Sequence, residues 1–250
     1  MKKLISIITI NKDNEKYIEK TIKSIINQNK KIFELIIIDG KSKDASVKII
    51  KKYNKFIKYW ETSEDKNISD AFNKGIDKCS TNWVLFINSD DYLANNNVLN
   101  NISSDLIKFK NFDMLAFKLK VKNRNLKQTI GIYGGSLINE KKLIMYNTFP
   151  HQALITNRKF FLKYGNFSTK FPIAQDYEIL LRAKKIKLKK IDKIISIMRD
   201  GGITNQNKVK SLKYFKIAQI KNKTNNILII NIIYLYGLFK LFIKSLINKF

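Results

Sequence analysis

Cysteine and histidine are almost absent: 250 residues hold one of each, Cys79 and His151. A single cysteine excludes an internal disulfide and leaves no cysteine pair for a metal. Cys79 reads as a small buried residue on a helix. A single histidine argues against a histidine-based zinc site. Glycine is sparse, nine in all, and none falls in Asn11-Lys12-Asp13-Asn14 behind the first apolar segment. Acids are few, 20 Asp+Glu against 48 Lys+Arg, for a formal charge of +28. No membrane span is expected, because the uncharged run before Lys240 is too short. The start, Met1-Lys2-Lys3-Leu4-Ile5, is basic then apolar like a signal peptide. Asn11-Lys12-Asp13 ends the apolar stretch early, however, and no small-residue cleavage site follows. It reads as a first buried strand, and the protein is expected to stay in the cytoplasm.

The surplus of positive charge invites a nucleic-acid reading. AT-rich codons favour Lys, Asn and Ile, however, and the lysines are spread over nearly every surface segment. A diffuse positive field also draws in anionic substrates or anionic lipid headgroups. Apolar residues make up 44% of the chain, enough for a true core. The length suits one large domain, or one domain with an appendage.

Strand and helix patterns alternate through the first half. Residues 4–10, 33–38, 57–60 and 83–87 read as strands, and 15–26, 45–53 and 69–79 as helices. That order gives an α/β fold with a largely parallel sheet and helices on both faces. The second half is less regular. Residues 98–109, 157–164 and 175–184 read as helices. Residues 113–121, 124–132, 188–191 and 194–198 read as strands, and Gly134-Gly135 as a turn or mobile loop. After Gly201-Gly202 the character changes: 208–220 reads as a basic helix and 227–250 as a more hydrophobic one. On the last helix Gly237, Lys240, Lys244 and Asn248 share one face, with Leu235, Leu238, Phe239, Phe242 and Leu246 opposite. Such a helix suits an anionic membrane surface, or it packs on its own domain or a second subunit. The chain thus divides into a domain of residues 1–205 and a basic amphipathic helical tail, 206–250.

Carboxylates fall where a site would be built. Leu85-Phe86-Ile87-Asn88-Ser89-Asp90-Asp91 is an apolar strand ending in two adjacent acids. Ligands of open α/β sheets sit outside the carboxyl ends of strands. Two acids there repel unless something positive lies between them, for which a divalent cation carrying phosphates is the usual answer. Asp39 ends the second strand, before Gly40, and can accept a hydrogen bond from an imide N–H such as that of uracil. Asp44 reads as a helix cap. Asp65 precedes the third helix, on which Asp70 and Asn73 lie, and Asp176 opens a later helix.

These segments form a recognisable set. Ser6-Ile7-Ile8-Thr9 and Ile38-Asp39-Gly40-Lys41-Ser42-Lys43-Asp44 resemble the opening of family-2 glycosyltransferases. Glu64-Asp65-Lys66-Asn67-Ile68-Ser69-Asp70-Ala71-Phe72-Asn73-Lys74-Gly75 and Phe86-Ile87-Asn88-Ser89-Asp90-Asp91 are similar to segments of the branch that builds O-antigen and capsule polysaccharides. Pro150-His151-Gln152-Ala153-Leu154 and Ala174-Gln175-Asp176-Tyr177-Glu178 complete the series over roughly the first 205 residues. The resemblance implies a GT-A fold, with a Rossmann-like, mostly parallel central sheet. It also implies a nucleotide-sugar donor, Mg²⁺ or Mn²⁺, and inversion at the anomeric carbon. By position, Asp39 would hold the nucleobase, with Thr9, Asp65, Asn73 and Asp90 also at the donor. Asp90 and Asp91 would take the metal, and Asp176 would be the general base. His151 and Arg182 would contact acceptor or phosphate, although an ion pair with Glu178 also accounts for Arg182.

Two departures stand out. Asn88 replaces an acid that is frequent in the family, so two acids of that motif remain. The Gln-x-x-Arg-Trp signature of processive synthases is absent, which suits addition of a single sugar. The expected activity is transfer of one sugar from a UDP-sugar to a lipid-linked oligosaccharide at the cytoplasmic face of the membrane. A sugar nucleotidyltransferase is the nearest rival, disfavoured because it needs a Gly-rich loop after the first strand. A non-catalytic nucleic-acid-binding protein would use the charge but has no need of the four acid segments together.

Overall fold

The computed structural model describes residues 2–145, 147, 149–202 and 207–247. The expected boundary at residues 205 and 206 and the last tail residue named above, Asn248, lie outside the described residues.

The first half alternates as its apolar pattern requires. Strands β1 (Ile5–Asn11), β2 (Phe33–Asp39), β3 (Tyr59–Thr62) and β4 (Trp83–Phe86) are separated by helices α1 (Glu15–Ile26), α2 (Ser46–Lys52) and α3 (Ile68–Asp77). Helix α1 buries Ile18, Ile22, Ile25 and Ile26, one stripe at helical spacing. Helix α3 starts where Asn67 Oδ1 accepts the backbone N–H of Ser69 (3.0 Å) and Asp70 (3.3 Å). Then follow β5 (Tyr92–Leu93), α4 (Val98–Lys108), β6 (Met114–Lys122), β7 (Thr129–Gly134), β8 (Leu154–Asn157), α5 (Arg158–Tyr164), α6 (Gln175–Ala183) and β9 (Leu188–Arg199). Helices α7 (Lys208–Lys221) and α8 (Ile227–Ile247) close the described chain.

The strands form one sheet in the order β3-β2-β1-β4-β8-β6-β9-β5, with β7 paired to β6. Strands β1 to β4 are parallel neighbours. Strand β8 runs against both β4 and β6, and β9 runs with β6. Six strands therefore point one way, while β5, β7 and β8 oppose them. Alternation along each strand splits the core in two. Ile5, Ile7, Leu35, Ile37 and Leu85 face α1 and α4, whereas Ile8, Ile36, Val84 and Phe86 face α3, α5 and α6.

Several expectations shift. Residues 188–198 form one strand, not two, because irregular register between β6 and β9 absorbs the polar interruption at Asp192-Lys193. Strand β3 lies two residues later than its apolar run suggests, since Lys58 N–H bonds Leu35 O (2.9 Å) and pairing begins beyond it. Strand β7 is likewise displaced toward Gly134. Strands β5 and β8 are too short for a pattern of their own. Gly134 and Gly135 form a turn with φ of +91° and +55°, and a Cβ on Gly134 would sit 2.1 Å from Phe117 O.

The C-terminal helices are braced against α6. Phe171, Tyr177 and Leu181 pack with Ala218, Tyr214 and Phe215 of α7. Glu178, fully buried, takes Arg182 at 2.9 Å and Lys221 of α7 at 2.8 Å. Helix α8 packs on α7 through Gly237, where a Cβ would come within 2.9 Å of Leu212. Gly237, placed by the sequence on the lysine-bearing face, is thus a packing contact, while Lys240 on that face is exposed. Leu235, Phe239, Phe242 and Leu246 are exposed.

Close approach of α3 to the sheet rests on Gly75, where a Cβ would fall 2.5 Å from Ile8 Cγ2. Ile8 is fully buried in the centre of the sheet. Overpacking of this kind costs about 1–3 kcal/mol, against roughly 1 kcal/mol gained in helix propensity. Gly75→Ala is expected to lower the midpoint of thermal unfolding by several degrees. A midpoint at or above that of the parent would contradict this packing.

Candidate active site

The parallel strands end on one edge, and their register sets the first row of polar residues there. Asn11 pairs with Asp39, and Asp39 with Thr62. The Asp39 carboxylate is fully enclosed. Oδ1 accepts from Asn11 Nδ2 (2.7 Å) and Ser42 Oγ (2.6 Å), and Oδ2 from Ser42 N–H (2.9 Å) and Thr62 Oγ1 (2.7 Å). Four donors fill its four lone pairs, so Asp39 holds the edge together. Asp65 reaches the same place: a Cβ on Gly40 would lie 2.9 Å from Asp65 Oδ2. Lys74 Nζ holds Asp65 at 2.7 Å.

The loop between β1 and α1 is knitted to the loop before α2. Asp13 N–H donates to Ser42 Oγ (2.8 Å), Asn14 N–H to Ser46 Oγ (3.2 Å) and Glu15 N–H to Asp44 Oδ2 (2.8 Å). Asp44 Oδ1 also accepts from Ser46 N–H at 2.9 Å, the first amide of α2, although the cap position itself is Ala45 and not the Asp44 that the sequence suggested. These amides already have partners and do not form a phosphate cradle.

The acid pair lies beside this row, past the end of β4. Asn14 Nδ2 donates to Ser89 Oγ at 2.8 Å and ties the two loops. Asp91 is 1% exposed. Its Oδ2 accepts from Gln152 Nε2 (2.9 Å), and its Oδ1 from Arg199 N–H (3.0 Å). Burial, then the neighbouring charge of Asp90, push its carboxyl well above the usual range. Asp90 Oδ2 meets the Arg199 guanidinium through Nε (3.3 Å) and Nη2 (3.2 Å). That guanidinium lies 4.3 Å from the centroid of the Tyr17 ring. Thr9 Oγ1, Asn11 Oδ1 and Asn88 Oδ1 are buried without hydrogen-bond partners, all near this edge. Such atoms are costly in a protein interior.

From Asp91 a chain of contacts leads to Asp176. Gln152 adjoins His151, whose ring packs among Phe86, Phe72 and Phe167 with centroids 4.5, 5.1 and 5.7 Å away. His151 and Asp176 line one cavity of about 20 Å³, walled by Phe86, Phe161 and Phe167, room for about one water. Burial pushes the imidazole down to about 4, so His151 is neutral at pH 7. Burial raises the Asp176 carboxyl, although Tyr177 N–H (2.9 Å) and Asn147 Nδ2 (2.8 Å) both donate to it.

The structure thus ties Asp91, beside Asp90, to the residue after His151, and sets His151 and Asp176 on one cavity, with Asp39 and Asp65 further along the edge. Three sequence candidates stand apart. Thr9 is fully buried two residues below the end of β1. The Asn73 amide is spent on Phe167, donating to its carbonyl (2.8 Å) and accepting its N–H (2.9 Å). Arg182 pairs with Glu178 and donates to Tyr164 O and Asn166 O at 2.5 and 2.9 Å, joining α6 to the end of α5. Gln152, Asn147 and Arg199 were missed. Gln152 lay inside the Pro150–Leu154 segment of the resemblance but was given no role, and Arg199, 109 residues from Asp90, had no signal.

The donor atoms suit the cation that the resemblance implies. Two carboxylates and the unpartnered Asn88 oxygen are hard oxygen ligands. Among the described residues no group of three His, Cys, Asp or Glu is gathered around one point. Mg²⁺ and Mn²⁺ fit such a partial set, because Mg²⁺ in particular is commonly bound by one or two carboxylates plus waters and substrate phosphates.

Comparison with known proteins points the same way. The family described as "Glycosyl transferase family 2" matches residues 5–160. A PGL/p-HBAD biosynthesis glycosyltransferase of Mycobacterium bovis is 24% identical over 164 residues, 64% of this chain and 61% of that one. The chain therefore spans about three fifths of that relative's length. The structure of residues 1–349 of S. aureus TarS with UDP-GlcNAc superposes with a TM-score of 0.67 at 17% identity, covering 95% of this chain and 72% of that 1–349 chain. The mannosyltransferase PcManGT of Pyrobaculum calidifontis, with GDP-Man and Mn²⁺, gives 0.66 at 11% identity, covering 90% and 66%. At these identities the likeness concerns the fold.

His151 is the sole histidine, so its imidazole signals in proton NMR are unambiguous. They are expected to shift with pH around about 4. A midpoint at the ordinary histidine value would contradict the aromatic enclosure.

Proposed function

The chain belongs to glycosyl transferase family 2 and has its GT-A fold, and from that premise we propose that it is an inverting glycosyltransferase. It moves one sugar from a nucleotide-sugar, a UDP-sugar by preference, to a lipid-linked oligosaccharide in cell-surface polysaccharide assembly. The observation that carries this reading is the contact chain from the acid pair through Gln152 and His151 to Asp176. It links the acid pair at the strand ends to a second carboxylate that has no acidic neighbour of its own in that cavity.

In this reading Asp176 accepts the proton of the acceptor hydroxyl as its oxygen attacks the anomeric carbon. The bond to the diphosphate breaks on the opposite face, and the nucleoside diphosphate departs. The raised pKa of Asp176 makes it a stronger base than a solvated aspartate. Asn147 holds one oxygen and orients the other. Neutral His151 and its phenylalanine neighbours keep bulk water from the carboxylate. Bound Mg²⁺ or Mn²⁺, held by Asp90 and Asp91, would offset charge growing on the leaving diphosphate. Asp39 is filled by its own neighbours, so a nucleobase imide N–H would reach it only by displacing one of them, the hydroxyl of Thr62 or Ser42. Asp65 lies beside it at the donor. Thr9 and Asn73 shape the donor wall from behind, and Arg182 fixes α6.

A sugar nucleotidyltransferase is disfavoured by the engaged amides of the β1–α1 loop. A nucleic-acid partner is disfavoured because it leaves the buried acids unexplained. The exposed apolar side chains of α8, with Phe239 59% and Phe242 58% exposed beside Lys240, support contact with an anionic membrane surface. Among the described residues no helix is long and apolar enough to cross a membrane. The lipid-linked acceptor would be met there, at the inner face of the cytoplasmic membrane.

Incubation with a panel of nucleotide-sugars, Mn²⁺ and membrane acceptor is expected to release nucleoside diphosphate. Asp176→Asn and Asp91→Asn should each lower kcat by roughly 10²–10⁴-fold. The rate should rise with pH through a midpoint above the ordinary aspartate range, as Asp176 loses its proton. Undiminished turnover in both variants would reject these roles. In vesicle flotation the protein should bind anionic but not zwitterionic membranes, and Phe239→Asp with Phe242→Asp should abolish this. Equal binding by the double variant would reject the role of α8.

A further inference from the structure

The counter-charge to the acid pair is supplied by the chain itself. Arg199, the last residue of β9, reaches both acids: its backbone N–H holds Asp91, and its guanidinium holds Asp90 through two nitrogens on a single oxygen. No described donor meets the other Asp90 oxygen. The guanidinium rests on Tyr17, and the Arg199 side chain is 20% exposed, so the head group has a solvent side toward which it can turn while the backbone bond stays. A divalent cation reaching Asp90 would meet this fixed positive charge at contact distance, and the two repel. Both cannot use Asp90 Oδ2 at full strength.

We propose that Arg199 is a positioning residue that occupies the cation's place on Asp90 until a metal–diphosphate complex arrives, and then passes to a phosphate oxygen. The inference rests on the donor-site reading above and adds to it an exchange of partners. A diphosphate brings two or three negative charges, enough for both the cation and the guanidinium, and arginine binds phosphate as readily as carboxylate. Metal and nucleotide therefore bind with positive coupling. Metal alone has to displace an ion pair; metal with nucleotide re-employs it.

The test is Mn²⁺ binding, followed by electron paramagnetic resonance, without nucleotide and with saturating UDP or GDP. For the parent, Mn²⁺ alone should bind weakly and tighten with a nucleotide. In Arg199→Gln and Arg199→Met, the latter keeping an apolar stem on Tyr17, Mn²⁺ alone should bind roughly three- to tenfold tighter. The gain from nucleotide should shrink in the same variants. A purely structural role would move metal affinity down or leave it alone, and that result overturns the inference. Failure of both neutral variants to fold also overturns it, since it makes Arg199 a scaffold residue. If the parent binds no Mn²⁺ with either nucleotide, the donor-site reading itself fails, an outcome distinct from a parent that binds normally while the variants show no tightening.

Discussion

Two adjacent carboxylates at a buried strand end are unfavourable, and much of the structure around them relieves that strain. Asp91 is almost without solvent. It keeps its place because β9 delivers a backbone N–H to one oxygen and the residue after His151 delivers an amide to the other. Asp90 takes a guanidinium from the same strand. Removing the carrier of one such charge costs more than the pair contributes, because the partner is left unsatisfied. Strand β9, which runs beside β6 at the far end of the sheet, is therefore part of the site. The irregular register that lets it continue as one strand is what carries Arg199 to the acids.

The same reasoning explains the division of labour among the acids. Asp39 is saturated by four internal donors and serves as a fastener. Asp91 keeps one open position on each oxygen, and Asp176 has only Asn147 and its own helix start. Burial raises the pKa of the latter two. Perturbed groups in a cleft mark chemistry more often than support.

The first half was legible because its strands are apolar runs closed by polar turns, and its acids fall at the ends of those runs. The position of Asp39 and the Asp90–Asp91 pair followed from that periodicity. The second half was harder. The box around His151 draws Phe72 from α3, Phe86 from β4 and Phe167 from the loop after α5, so no local spacing announces it. Arg199 meets Asp90 only through the order of strands in the sheet. Helical spacing did foretell the Glu178–Arg182 pair, and with it the reason that Arg182 faces away from the cleft. Asn73 carried no such warning, since its partner Phe167 is 94 residues distant.

The buried anion of Glu178 gives the tail a reach beyond its own surface. It stands two residues after Asp176 on α6 and is clamped by Lys221 of α7, while Gln219 bonds the Tyr177 hydroxyl at 3.0 Å and Met145 O at 3.1 Å. Helix α8 in turn seats its glycine on α7. Whatever α8 rests on is thus mechanically continuous with the first turn of the helix that bears Asp176. A protein shortened at residue 205 would lose more than two surface helices: it would uncover Tyr177, strip one of two cations from an enclosed charge, and loosen the helix start that carries Asp176.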